Sequence, residues 1–313
     1  MKKELSIIIP IFNEESNILM LHERLTSVLQ RLGFPYELLF VNDGSADNSL
    51  AIIKGLAVLD TNVKFLDFSR NFGHQIAVSA GLAHCVGQKV VIIDADLQDP
   101  PELIFDLYQK MKEGFEVVYA KRSSRKGESW LKRQTAAWFY RILKKITSVE
   151  IPVDTGDFRI IDRKIVEIIK EMPERHKFLR GQIAWVGFRQ SFVTYERDER
   201  NAGTTGYTYQ KMLRFALDGI TAFSDFPLKI VTWFGFFVSF IAFLAILFAI
   251  YSRFILKDYV QGWASLMISI LFIGGIQMIA IGIIGEYLSR MNTDIRKRPL
   301  YIVKESNLSE TEQ

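Results

Sequence analysis

The sequence contains only one cysteine, Cys85, and it lacks the glycine-rich loops that most often bind nucleotide phosphates. One cysteine cannot form a disulfide within the chain, so the fold must be stable without one, which suits a reducing compartment. Neither G-x-G-x-x-G nor G-x-x-x-x-G-K-[ST] occurs. Their absence excludes the dinucleotide-binding fingerprint and the phosphate-binding loop as the basis of a site.

Charge is absent from two long stretches, residues 230–252 and residues 260–285. Hydrophobic residues make up 49% of the 313-residue chain and charged residues 24%, so an ordinary charged content coexists with a local excess of apolar residues. As a helix, each stretch would span roughly 30 Å or more, enough to cross a bilayer. We therefore predict two transmembrane helices. The alternative, a buried hairpin of a large soluble protein, rarely has charge-free runs of this length.

Basic residues are scarce in the loop between these two stretches, which has only Arg253 and Lys257. The flanking segments are richer in them, with Lys211, Arg214, Lys229, Arg290, Arg296, Lys297, Arg298 and Lys304. By the positive-inside rule, the main domain and the tail are cytoplasmic, and we expect a multi-pass protein of the inner (plasma) membrane. The short apolar run at the N-terminus is broken by Pro10, so it predicts a strand rather than a signal peptide.

Short apolar strands alternate with helical patterns over the first part of the chain. Strands are predicted at 5–12, 37–41, 63–68 and 90–94, and helices at 15–32, from about 49 to 59, and at 71–84. This alternation indicates an α/β fold with a mostly parallel, Rossmann-like sheet, whose ligands bind at the carboxyl ends of the strands. Four polar segments fall at such ends, namely 10–14, 43–45, 69–71 and 94–98.

Asp94 and Asp96 follow the β-branched run Lys89-Val-Val-Ile-Ile and precede two prolines. In an extended segment, residues two apart point to the same side, so their negative charges meet at close range. A hard divalent cation could neutralise them. The alternative is that one carboxylate caps the next helix and the other is a solvated loop acid.

Basic and aromatic residues are interleaved between residues 121 and 147. The basic loop 121–127 leads into a predicted helix over 130–147 that combines lysines and arginines with tryptophan, phenylalanine and tyrosine. This composition suits anionic lipid headgroups or a lipid phosphate. A nucleic-acid partner is not expected beside two membrane spans. The remaining alternative is an amphipathic core helix with a solvated charged face.

Four motifs occur in an order that resembles a known enzyme family. They are Ile9-Pro10-Ile11-Phe12-Asn13-Glu14, Val41-Asn42-Asp43-Gly44-Ser45, Ser69-Arg70-Asn71-Phe72-Gly73 and Asp94-Ala-Asp96-Leu-Gln98-Asp99-Pro100-Pro101. The chain resembles family 2 glycosyltransferases of the GT-A fold, within them the polyprenyl-phosphate group of dolichol-phosphate mannose synthase and bactoprenol glucosyltransferase. The resemblance extends through Arg200-Asn-Ala-Gly203-Thr-Thr-Gly-Tyr207 and the paired spans. Where this family often has Gly-x-Ser-Lys-Tyr, the lysine has no counterpart here.

The resemblance implies a nucleotide-sugar donor. It implies nucleotide-binding roles for Pro10, Phe12, Glu14, Asp43, Arg70 and Asp94, and a Mg²⁺ or Mn²⁺ site formed by Asp94, Asp96 and Gln98. A divalent ion there would stabilise the departing nucleoside diphosphate. Two of these residues have plainer alternatives, because Asp43 could be an ordinary turn residue and Arg70 a solvated surface arginine.

The resemblance also implies residues on the acceptor side. Asp157 and Asp96 are the predicted catalytic residues, and Arg122, Arg125, Lys132 and Arg200 the predicted ligands of the acceptor phosphate. A lipid monophosphate has a second pKa near ~6 and is already largely ionised at neutral pH. We therefore expect Asp157 to orient the sugar or acceptor more than it acts as a general base. Arg200 could instead be a rim arginine.

The predicted organisation is a GT-A domain at 1–207, an amphipathic interfacial helix at 208–228, two transmembrane helices at 229–286, and a cytoplasmic tail at 287–313 that is mobile after Pro299. The predicted activity is inverting transfer of one sugar, with glucose from UDP-glucose favoured, to a polyprenyl phosphate such as undecaprenyl phosphate. The alternatives are transfer of mannose from GDP-mannose, and a non-catalytic membrane scaffold or sensor. Gly274, Gly275, Gly282 and Gly285 would allow close helix packing, either within one chain or between the chains of a homo-oligomer.

Overall fold

The computed structural model describes residues 3–123, 155–196, 224, 226–251 and 262–308. The chain divides into two compact units, an α/β domain and a unit containing two long helices. In chain order the elements are β1 (Leu5–Ile11), α1 (Ile18–Leu32), β2 (Tyr36–Asn42), α2 (Ser49–Leu59), β3 (Val63–Phe68), α3 (His74–His84), β4 (Lys89–Ile92), α4 (Leu103–Lys112), β5 (Val117–Arg122), β6 (Thr155–Asp162), α5 (Arg163–Glu171), α6 (Leu179–Val186), β7 (Gln190–Tyr195), α7 (Phe226–Tyr251), α8 (Trp263–Ile295) and β8 (Val303–Ser306).

Over the described residues, the strands form one sheet in the order β7-β5-β6-β4-β1-β2-β3-β8. β1 pairs in parallel with β2 and β4, and β2 pairs in parallel with β3. β6 lies antiparallel between β4 and β5, whereas β5 and β7 are parallel. The prediction of an α/β fold with a mostly parallel sheet is confirmed.

Two apolar cores cover the two faces of this sheet. Ile7 and Ile9 of β1 pack in one core with side chains of α1, α2 and α4, and Ile8 packs in the other with α3, α5 and α6. Because successive side chains of a strand point to opposite faces, a strand covered on both sides is mostly apolar, as β1 is apart from Ser6. Gly81 brings α3 very close to β1, since a Cβ there would lie 2.3 Å from Cγ2 of Ile8.

The segment after Pro299 differs from its prediction. We expected it to be mobile, but β8 pairs antiparallel with β3 at the edge of the sheet. Asn307 extends the pairing, because its Oδ1 accepts from the amide of Phe65 at 2.7 Å and its Nδ2 donates to the carbonyl of Val63 at 3.0 Å. A short polar strand has no apolar alternation to reveal it, and its stability comes from the unpaired backbone groups of β3.

The second unit contains α7 and α8, which lie over the two stretches that lack charge. Among the described residues, one helical segment, Phe272–Ile295, is long and apolar enough to cross a membrane, and none of it is buried. α8 also continues past the predicted end of the second span, where Arg290 pairs with Glu286 one turn away at 3.2 Å. The prediction of two spans therefore remains a prediction.

Candidate active site

The loops that follow β1 and β2 are joined by hydrogen bonds at the carboxyl ends of the parallel strands. The amide of Asn13 donates to Oγ of Ser45 at 3.0 Å, and the amide of Ala46 donates back to Oδ1 of Asn13 at 2.8 Å. Asn13 has a φ of 56°, which an asparagine adopts more readily than most residues. The two loops therefore form a single rim above the sheet.

Asp43, at the end of β2, anchors the loop that follows β3. Its Oδ1 accepts from the amide of Phe72 at 2.6 Å and its Oδ2 from the amide of Gly73 at 2.9 Å. The residue is 2% exposed, and burial raises the pKa of its carboxyl although these amides oppose the rise. Gly44 lets the two loops meet, because at its φ of 67° a Cβ would lie 2.5 Å from the carbonyl carbon of Arg70.

Three polar side chains converge beside this loop, from three different elements. His74 begins α3, Asp94 follows β4, and Asp157 lies in β6. Nε2 of His74 is 3.1 Å from Oδ2 of Asp157 and 3.6 Å from Oδ1 of Asp94. One ligand atom from each of the three residues lies within 4.8 Å of the others, close enough to share a metal ion.

Asp157 is surrounded by cationic groups. Its Oδ1 accepts from Nη2 of Arg159 at 2.9 Å and from Nε of Arg180 at 3.0 Å, while its Oδ2 faces His74. Burial alone would raise the pKa of Asp157, but Arg180, His74 and Arg159 hold it well below its usual range. These cationic groups therefore stabilise the ionised carboxylate of Asp157.

The other two members of this cluster have pKa values shifted upward. Desolvation lowers the pKa of His74, but Asp94 and Asp157 outweigh it and raise that pKa to about 9. Burial raises the pKa of Asp94 to about 6, opposed by His74 and reinforced by Asp157, Asp99 and Asp96. Oδ1 of Asp94 is buried and has no hydrogen-bond partner in the part of the chain that the structure describes. Asp94 therefore lies near three other carboxylates, and the cationic group close to its Oδ1 is His74, at 3.6 Å.

A second group of polar residues lies on the loop after Asp94. The amide of Gln98 donates to Oδ1 of Asp96 at 3.2 Å, and Leu97 between them has a φ of 57°. Asp99 is 1% exposed and accepts from the hydroxyl of Tyr195, and burial together with Asp99 raises the pKa of Tyr195. Two hydrogen bonds therefore stabilise the loop conformation, one accepted by Asp96 and one accepted by Asp99.

The sequence profile of glycosyl transferase family 2 matches residues 6–169. This range contains nearly all of β1, all of β2 to β6, and the group formed by His74, Asp94 and Asp157, hereafter the acidic cluster. The chain belongs to glycosyl transferase family 2. It is 48% identical over 301 residues to the uncharacterized glycosyltransferase YkcC of Bacillus subtilis (strain 168), covering 96% of this chain and 93% of that protein. It is 44% identical over 301 residues to the prophage bactoprenol glucosyl transferase homolog of Escherichia coli (strain K12), covering 96% and 98%.

A structural comparison gives lower similarity. Mannosyl-3-phosphoglycerate synthase from Rubrobacter xylanophilus aligns with a TM-score of 0.47 at 16% identity, covering 70% of this chain and 72% of that one.

The predicted nucleotide-binding residues of this family 2 transferase occupy different environments. Pro10 is buried within β1, and Phe12 just beyond it is 49% exposed. The carboxylate of Glu14 accepts from Nδ2 of Asn17 at 2.6 Å. Arg70 lies with its guanidinium carbon 4.0 Å from the centre of the Phe72 ring. Phe12 and Arg70 therefore present surface at the rim, whereas Pro10 supports the sheet beneath it.

The predicted acceptor residues are only partly within the described chain. Arg122 ends β5 close to Gly156, where a Cβ would lie 3.1 Å from its Nη2. Arg125, Lys132 and Arg200 lie outside the described residues, as do the predicted helix at 130–147 and most of the one at 208–228. Their roles in the transferase remain predictions.

Sequence reasoning missed three residues that contact Asp94 or Asp157. His74 directly follows the motif Ser69-Arg70-Asn71-Phe72-Gly73. Because ligands of α/β sheets bind where a strand ends and the next helix begins, this position could have identified His74 as a site residue. Arg159 is two residues from Asp157 in the same strand and so faces the same side. Arg180 has no local signal, because it reaches Asp157 through the packing of α6, whose Leu179 amide donates to Oε1 of Gln75 at 3.2 Å.

Proposed function

We propose that this family 2 transferase moves one glucose from UDP-glucose to a polyprenyl phosphate such as undecaprenyl phosphate, with inversion, at the cytoplasmic face of the membrane. The observation that carries the proposal is the acidic cluster at the carboxyl ends of the parallel strands, where Asp94 and Asp157 meet across His74. Relatives named as bactoprenol glucosyl transferases support the lipid acceptor and the sugar, because their similarity runs through the long helices as well as the transferase domain.

The residues at the end of β4 fit a divalent cation. Oδ1 of Asp94 is buried without a hydrogen bond from any described residue, and burial with nearby carboxylates raises the pKa of Asp94 to about 6. Carboxylate oxygens with excess negative charge are the ligands that Mg²⁺ and Mn²⁺ prefer. We infer that Asp94 and Asp96 hold the ion, with Gln98 beside them. When bound, it would supply charge stabilisation for the departing nucleoside diphosphate.

Asp157 acts in this proposal as a positioning group. A phosphate oxygen of the acceptor attacks the anomeric carbon from the side opposite the leaving diphosphate, and the bond to the diphosphate breaks. An ionised phosphate needs no proton removed. Asp157 is already engaged with Arg159, Arg180 and His74, which favours orientation of these cations over proton transfer.

The proposed acceptor phosphate and the bilayer surface are anionic, so we expect cationic side chains near the site. Arg122 at the end of β5, together with Arg125, Lys132 and Arg200, is proposed to bind the lipid phosphate. The two long helices are proposed to anchor the domain in the bilayer, with a homo-oligomer formed through the glycines of α8. Embedding the acceptor headgroup at the membrane surface would bring it within reach of a tethered domain.

The deciding experiment measures release of nucleoside diphosphate from the purified protein with and without polyprenyl phosphate and Mn²⁺. UDP-glucose is compared with GDP-mannose and other nucleotide sugars. We expect release that requires both the lipid and the metal, and is fastest with UDP-glucose. Release from GDP-mannose and from no other donor would replace glucose by mannose as the transferred sugar. No release from any donor would favour the scaffold or sensor and overturn the enzyme proposal.

A further inference from the structure

Tyr301, two residues before β8, lies against the end of β3. Its ring stacks on the ring of Phe68, with centroids 5.0 Å apart and planes 18° apart. Phe68 in turn meets Phe72 edge to face at 5.7 Å and 88°. These three residues form a continuous aromatic row from the segment after Pro299 into the loop that follows β3.

The far end of this aromatic row is fixed close to His74. The amides of Phe72 and Gly73 donate to the two oxygens of Asp43, and His74 is the next residue. The backbone is also tied to the segment beside Tyr301, because the amide of Ser69 donates to the carbonyl of Ile302 at 3.0 Å. The loop 69–73 is therefore held by Asp43 on one side and by the row on the other.

Tyr301 also contacts the opposite end of α3. Its hydroxyl lies 3.0 Å from Nε2 of His84, the last residue of the helix that His74 begins. Burial raises the pKa of the Tyr301 hydroxyl, so it stays neutral and available for this hydrogen bond. A single side chain thus contacts both the C-terminal end of α3 and the aromatic row that leads to its N-terminal end.

We propose that Tyr301 is a positioning residue for the transfer reaction, which holds loop 69–73 and thereby keeps His74 directed at Asp94 and Asp157. The inference rests on the proposed function, since it concerns the same site. Displacement of a reacting or orienting group by about 1 Å can lower a rate by roughly 10²-fold, so a distant support has a measurable effect on turnover. Tyr301 is not in contact with His74, Asp94 or Asp157, so its effect on them is indirect. We assign this effect to loop 69–73, and Tyr301→Phe, which loses the hydroxyl contact with His84, tests the other route through α3.

The test compares Tyr301→Ala, Tyr301→Phe and Lys54→Met in the full-length chain. Phenylalanine keeps the stacking on Phe68, whereas alanine removes it. Lys54→Met breaks the 2.6 Å ion pair with Glu305 of β8 but leaves the row intact, which controls for weaker attachment of that strand. We expect kcat to fall about tenfold or more in Tyr301→Ala, with the KM for polyprenyl phosphate little changed, and to stay near wild type in the other two.

A second readout does not depend on turnover. Hydrogen–deuterium exchange is measured in peptides that cover residues 69–74 and, for comparison, α4. We expect Tyr301→Ala to exchange faster than wild type at residues 69–74 but not in α4. We expect Tyr301→Phe to exchange at the wild-type rate in both peptides. Unchanged exchange and unchanged kcat in Tyr301→Ala would overturn the proposal, and so would equal acceleration in α4 or failure of phenylalanine to restore the loop. A wild-type protein without transferase activity would instead defeat the proposed function, while the exchange data would still decide the role of Tyr301.

Discussion

Asp157 illustrates, at the scale of single residues, how the structure changes the meaning of a substitution. On the sequence alone, a positioning role would predict that Asp157→Asn loses little activity. In the structure both carboxylate oxygens face hydrogen-bond donors or cations, namely Arg159, Arg180 and His74. An asparagine must turn its NH₂ group toward one of them, so it cannot reproduce the arrangement.

We expect Asp157→Asn and Asp157→Ala both to lower kcat, by about 10²-fold or more, because a partner charge is left uncompensated. Steady-state rates at neutral pH with saturating substrates would measure this. Asp106→Asn, which alters an exposed carboxylate on α4, is the matched control and should keep full activity. An Asp157→Asn variant with wild-type kcat would contradict the assigned contacts.

Gly44 gives a second prediction at this scale. Gly44→Ala places a Cβ 2.5 Å from the backbone of Arg70 at a φ of 67°, so we expect a loss of roughly 1 to 3 kcal/mol in stability and reduced nucleotide binding. Gly55→Ala on α2 meets nothing within 4 Å and should be neutral or stabilising, by up to ~1 kcal/mol. Unfolding midpoints of the two variants provide the comparison. Equal midpoints would show that the close approach of the two loops is not maintained.

Asp162 sets a prediction at the scale of an element, because it joins β6 to α5. Its Oδ1 accepts from the amide of Lys164 at 3.1 Å as the N-cap of α5, and its other oxygen pairs with Lys89 of β4. Burial opposes ionisation, but these partners hold the pKa of Asp162 below its usual value. The folded protein therefore binds this proton less readily than the unfolded chain, so the stabilisation is present above about pH 4 and is lost as pH falls through the folded pKa.

At pH 7 we expect Asp162→Ala to be less stable than Asp162→Asn by about 1 kcal/mol, because asparagine still caps the helix. The gap between wild type and Asp162→Asn reports the pair with Lys89, and it should shrink as pH falls below 4. Thermal midpoints across this pH range give the answer. A gap that grows with acid would reverse the assigned sign.

The first half of the α/β domain, β1 to β4 with α1 to α3, could be predicted because each of these elements has a local apolar pattern. The strand at 63–68 has the predicted bounds, and α1 starts three residues later than predicted because the rim loop occupies 12–17. β8 was missed because Val-Lys-Glu-Ser lacks an apolar pattern and depends on an unpaired edge. Asp94 and Asp157 were expected at one site and do lie together, but Arg180 reaches it only through tertiary packing.

At the scale of the whole molecule, the segment after Pro299 is expected to be part of the catalytic domain. A chain that stops at Leu300 loses β8, the stack on Phe68 and the hydrogen bonds of Asn307. We expect a lower unfolding midpoint and turnover reduced at least as far as in Tyr301→Ala. A chain that stops at Leu308 keeps all of these contacts and is the control. Identical midpoints for the two chains would show that β8 contributes nothing to the domain.

The pairing of β8 with β3 also fixes an order of events during synthesis. The ribosome completes β3 and must then add residues 69–302, including both long helices, before it can supply the partner strand. At about 5–20 residues per second this interval is on the order of 10 to 50 s, during which the backbone of Leu66–Phe68 has no partner on that side. An open strand edge is a template for pairing with other chains. A polypeptide released before residue 303 therefore exposes a strand edge that β8 covers in the full-length chain, and such a fragment is more prone to pair with other chains.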